Sequence, residues 1–117
     1  MESSLIAVLL YYYQLILSGD TRPEVLRDYA VVESLLAGVD PYVVTTVINR
    51  ESGFDTLAIN RNDNGEGCHS RGLVQIRSCN HKTSDKEAYN PIYAVNFLIS
   101  NIDKCKTWWR ATCPIDG

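Results

Sequence analysis

Glu51 is the residue whose placement raises a chemical question. It closes the run "VVTTVINRE" (Val43–Glu51) and is followed by Ser52, Gly53 and Phe54. Wound as a helix at about 100° per residue, with Val43 at 0°, Val47 falls near 40°, Val44 near 100° and Ile48 near 140°. Glu51 falls at about 80°, in the middle of that apolar stripe. A carboxyl facing inward is costly unless it is paired, neutral or set in a cleft. In an apolar cleft its pKa rises, so it can hold a proton near neutral pH and donate it to a leaving oxygen. The bland alternative is a structural glutamate paired with Arg50 or Arg71. Where acid–base chemistry of this kind uses a second carboxylate, Asp55, Asp63 and Asp85 are the candidates.

Cys68, Cys79, Cys105 and Cys113 form an even set in a small chain, which favours disulfides and an oxidising compartment. Three pairings are possible. A zinc site from Cys68, His69, Cys79 and His81 is the alternative, but its spacings fit no common ligand frame; no metal or cofactor is expected. His69 and His81 read as surface loop residues.

A chain of 117 residues is one domain. Its net charge of −3 gives no electrostatic support for a nucleic-acid partner. Residues 1–20 contain "LIAVLLYYYQLIL" (Leu5–Leu17), too short for a bilayer span of roughly 20 residues. They read as a signal peptide, an N-terminal anchor that tethers the chain to a membrane, or a helix of the fold. The absence of a preceding Lys or Arg and the three tyrosines speak against a signal.

Three helices and one long loop must position the candidates. "TRPEVLRDYAVVESLLAG" predicts a helix with Thr21 and Glu24 as a capping box, Pro23 in the first turn and Gly38 at its end. Glu33 and Arg27 are expected on its solvated side. Asp40–Pro41 predicts a second helix ending near Gly53, despite six β-branched residues from Val43 to Ile48. Phe54–Asp85 is polar and glycine-rich, a loop with a short hairpin, in which "GLVQI" (Gly72–Ile76) is the one apolar island. Asn90–Pro91 opens a third helix, with Ile92, Val95, Ile99 and Ile102 as its buried stripe.

"ESGF", then "GLVQI", then "NPIYAVNFLI" resemble, in that order, the motifs of the lytic transglycosylase (SLT-type) domain of the lysozyme superfamily, related to goose-type lysozyme. The resemblance covers roughly residues 30 to 105, with Val74 in place of the usual Met. It implies a mainly α, α+β lysozyme-like fold over residues 21–117, the Asp40 helix at its centre and the long loop walling a glycan cleft. It implies Glu51 as the catalytic acid and base. Ser52 would cap or orient the acid, or be a helix-end hydroxyl. Gln75 would meet sugar hydroxyls and N-acetyl groups, since an amide both donates and accepts. Gly72 would allow close approach, and Ser70 and Arg71 flank the element, Arg71 meeting an anionic stem peptide or solvent. The family cleaves the MurNAc–GlcNAc β-1,4 bond of peptidoglycan strands with one Glu and leaves a 1,6-anhydro end. A secreted, periplasmic or envelope-associated monomer is expected.

One departure concerns the family's late Ala-Tyr-Asn element, whose Tyr touches the catalytic Glu. "AYN" (Ala88–Asn90) precedes the Asn-Pro helix here, and no Tyr follows Trp109. Either the domain is shortened, or Tyr89 or Tyr93 takes that place. A hydrolytic lysozyme and a non-catalytic wall-binding module, with Trp108 and Trp109 stacking on sugars, are the competing readings.

Overall fold

In a computed structural model of the protein, the structure describes residues 2–61 and 67–115. Asp63 lies outside them. The elements run α1 (Glu2–Leu17), α2 (Pro23–Ala37), α3 (Pro41–Ser52), β1 (Ile59–Asn60), β2 (Ser70–Arg71), β3 (Ile76–Arg77), α4 (Asp85–Tyr89) and α5 (Pro91–Ser100), then a 3-10 turn (Ile102–Lys104) and α6 (Cys105–Trp108). The fold is mainly helical with one small antiparallel sheet in the order β1-β2-β3, in which Ile59 pairs with Arg71 and Ser70 with Arg77.

Residues 2–17 form a helix packed on α2. Ile16 is buried, and Leu9, Tyr12 and Tyr13 pack against the core. Two of the three tyrosines have partners on α2: the Tyr12 hydroxyl donates to Asp28 at 2.8 Å and that of Tyr13 to Glu33 at 3.4 Å. Ile6, Leu10, Tyr11 and Leu17 stay exposed on the outer side. Among the described residues, no helix is long and apolar enough to cross a membrane.

Helix α2 begins one residue later than the Thr21 box requires. Arg22 is its N-cap, without a side-chain cap, and its guanidinium is instead held by Asp20 at 2.9 and 2.8 Å. The C-terminus ends as expected, with Gly38 at φ +73. The central position belongs to α2, not to α3: α2 packs against α1, α3 and α5, because Leu26, Tyr29 and Ala30 are fully buried on it. Glu33 is correspondingly not on a solvated side. It is half-buried and accepts from Tyr29 at 2.7 Å and Asn96 at 3.0 Å, joining α2 to α5. Burial, and then Glu33, push the Tyr29 phenol above its ordinary range.

Helix α3 overrides its β-branched composition through packing. Val43, Val44, Val47 and Ile48 are all buried, and helix propensity differs by too little to resist that burial. Asp40 caps it by accepting from the Tyr42 N–H at 2.9 Å, and Gly53 closes it at φ +62. The third helix is split. Asn90 caps α5 as expected, but α5 stops at Ser100 and its most buried residues are Ala94, Val95 and Leu98. Ile92, Ile99 and Ile102 are only partly buried, so the stripe is rotated toward α2.

Candidate active site

Glu51 lies in the last turn of α3, half-buried, on the wall of a cleft of about 470 Å³. Capping by Asp40 and Gly53 fixes where α3 starts and stops, and thereby where the turn carrying Glu51 ends. Ser52 is not in the cleft. Its hydroxyl lies 2.8 Å from the Leu73 carbonyl and 3.1 Å from that of Ile48. It ties the end of α3 to the "GLVQI" loop. Phe54 is buried in the core with Arg27 over its ring at 4.8 Å.

The "GLVQI" loop forms the facing wall. Gln75 lines the cleft with a positive φ of 54, a conformation that costs a non-glycine residue on the order of 1 kcal/mol. Two hydrogen bonds hold it there: Gln75 Nε2 donates to Ala58 O at 3.1 Å and to Gly72 O at 2.9 Å. Both amide hydrogens are thus committed to backbone, and the amide oxygen is the group left to accept. Strain concentrated on a polar side chain in a cleft is characteristic of functional positions. Ser70, on β2, also lines the cleft and is buried.

Three other residues expected to bind substrate sit elsewhere. Gly72 does permit a close approach, but the neighbour is α4: a Cβ there would stand 2.0 Å from Ala88 O. Arg71 is neither solvated nor in the cleft. It is 2 % exposed and donates to Ile76 O at 3.2 Å, Thr83 O at 3.0 Å and Asp85 Oδ1 at 2.8 Å. A guanidinium with its planar fork suits such a buried strut. Tyr89 is half-buried on α4 and does not line the cleft.

Of the candidate second carboxylates, Asp55 accepts from the Leu57 N–H at 2.9 Å in a local turn. Asp85 holds Arg71 and, at 3.3 Å, His69. The Arg71 guanidinium, followed by His69, keeps the Asp85 carboxyl below the usual carboxylate range. A carboxylate whose pKa is lowered by folding stabilises the fold above its unfolded pKa and ceases to do so as the pH falls through the folded value. Asp85→Asn is therefore expected to lower resistance to urea at neutral pH and to cost little in strong acid. Equal losses at both pH values would show that the pair does not contribute.

His81 is not a surface residue. It lines the cleft and packs edge-on against Trp108 at 4.5 Å and Phe97 at 5.3 Å. Burial, and then the Arg71 charge, hold its pKa below the ordinary histidine value, so the ring is neutral near neutral pH. Trp108 lines the same wall, stacked on Phe97 at 6.0 Å. Trp109 is buried, and its indole N–H donates to Val74 O at 2.8 Å. It is thus a structural anchor of the facing loop. The disulfides are Cys68–Cys79 and Cys105–Cys113, and the first removes both thiolates of the zinc alternative.

A partner of Glu51 comes from the tail. Thr112 Oγ1 donates to Glu51 Oε2 at 2.5 Å, where a tyrosine was expected. Nothing in the spacing announces this residue. A common hydroxyl in a short tail, 61 positions from Glu51, becomes visible only when Cys105–Cys113 and the Trp109–Val74 bond fold the tail back.

A helix-end glutamate in a cleft between helices and a small antiparallel sheet is a lysozyme-like arrangement. The chain belongs to the Transglycosylase SLT domain family, whose family model matches residues 28–113. No curated protein and no solved structure matches it significantly. The family implies peptidoglycan as the class of substrate and action outside the cytoplasm, with which two disulfides agree.

Proposed function

We propose that this domain is a lytic transglycosylase acting on the MurNAc–GlcNAc β-1,4 bond, with Glu51 as its single acid and base. The protonated Glu51 carboxyl gives its proton to the glycosidic oxygen as the bond from that oxygen to C1 of MurNAc breaks. The N-acetyl group of the same sugar stabilises the cationic C1. The 6-hydroxyl then bonds to C1 and returns its proton to Glu51, leaving a 1,6-anhydro end with no water consumed. Gln75 accepts from the sugar through its amide oxygen.

The observation that carries this reading is that Glu51 is the carboxylate among the described residues lining the cleft, while Asp55 and Asp85 are engaged elsewhere. A two-carboxylate mechanism needs partners about 5–10 Å apart across the sugar, and among the described residues no such pair faces the cleft. Mass spectrometry of muropeptides released from purified peptidoglycan tests it. Anhydro-ended fragments are expected with the wild type and not with Glu51→Gln. Reducing ends would make the domain a hydrolytic lysozyme, and an intact wall that retains the protein would make it a binding module.

A further inference from the structure

We infer that Thr112 is the positioning residue of Glu51, and that the Cys105–Cys113 disulfide holds it in place. This rests on the reading of Glu51 as the acid. The hydroxyl of Thr112 is 2.5 Å from Glu51 Oε2, at the short end of O–H···O hydrogen bonds. An oxygen that accepts a hydrogen bond is a poor place for a proton, so the acid proton is directed to the other carboxyl oxygen. Once that proton has been transferred, the same hydroxyl stabilises the carboxylate left behind.

The tail that carries Thr112 is tied at several points. The N–H groups of Thr112 and Cys113 both donate to Trp109 O, at 3.0 and 2.7 Å. The Trp109 indole is tied to Val74 O at 2.8 Å, beside Gln75. Arg50, the neighbour of Glu51, donates to Thr112 O at 3.4 Å. Cys113 is bonded to Cys105 at the start of α6. A residue held from the helix of the acid, from the facing loop and through a disulfide is built to have little freedom, which is what orienting a proton requires.

Kinetics of Thr112→Val and Thr112→Ser across pH test this, with Glu51→Gln as reference. Thr112→Val is expected to lower kcat about 10- to 100-fold with little change in KM, the range that a hydrogen bond to a charged group supplies. Losing a donor to the carboxylate disfavours its ionised form, so the basic limb of the kcat/KM profile should move up by about one unit. Thr112→Ser keeps the hydroxyl and should restore both. If Glu51→Gln is inactive but Thr112→Val keeps the wild-type rate and limb, the inference is overturned. It is overturned also if Val and Ser lose equally with the limb unmoved, since that is a packing effect. An active Glu51→Gln overturns the reading of the acid itself.

Discussion

Gly72→Ala is expected to lower the melting temperature by on the order of 10 °C, read by circular dichroism. Two independent effects add at this position. Gly72 has φ +79, where an added Cβ is strained by itself. That Cβ would also stand 2.0 Å from Ala88 O and 3.0 Å from Ala88 C. These are backbone atoms of α4, which cannot rotate away as a flexible side chain would. Relief requires moving β2 away from α4, and overpacking of this kind costs on the order of 3 kcal/mol. The same shift displaces Gly72 O, which holds Gln75 Nε2 at 2.9 Å, so residual folded protein should turn over more slowly. An unchanged melting temperature would mean that β2 and α4 do not pack this closely.

Glu51→Gln should reduce turnover about 10³-fold or more, the upper part of what a positioned acid contributes, while leaving the fold intact. Glutamine has the same shape, and its carbonyl oxygen can accept the Thr112 hydroxyl as Oε2 does. What it lacks is a transferable proton. The melting temperature is therefore expected to stay within about 2 °C of the wild type or to rise, since functional carboxyls are commonly held at some cost to stability. The combination is diagnostic: loss of both turnover and fold would make Glu51 a structural residue.

What could be read from the sequence was what is written locally. Asp40–Pro41 and Gly53 bracket α3, and Asn90–Pro91 opens α5, because caps and first-turn prolines act within a few residues. The angular position of Glu51 followed from α3 alone. Gln75 and Ser70 stood out through the resemblance of "GLVQI" and its flanks to the family's motif, and both line the cleft. The failures share a different cause. Glu33 looked solvated because its partners, Tyr29 apart, lie on α1 and α5. Arg71 looked like a ligand because two of its partners, Thr83 and Asp85, are 12 and 14 residues away. Helix α4, whose Ser84–Glu87 capping box is a legible signal, was hidden by the surrounding loop and by its own five-residue length. His81 is drawn into the cleft by Trp108 and Phe97, which a one-dimensional pattern cannot bring together.

The dependence of Glu51 on Thr112 also has a kinetic side. Their contact joins residues 61 apart in the chain, and the Trp109–Val74 bond joins residues 35 apart. Closing such loops loses entropy before any contact compensates it. Closing Cys105–Cys113, only 8 apart, shortens the search, because it folds the tail onto α6 before Thr112 must find α3. On this account the helices and the cleft form first and the contact between Thr112 and Glu51 forms last. During refolding from the reduced chain, helical signal should return ahead of activity.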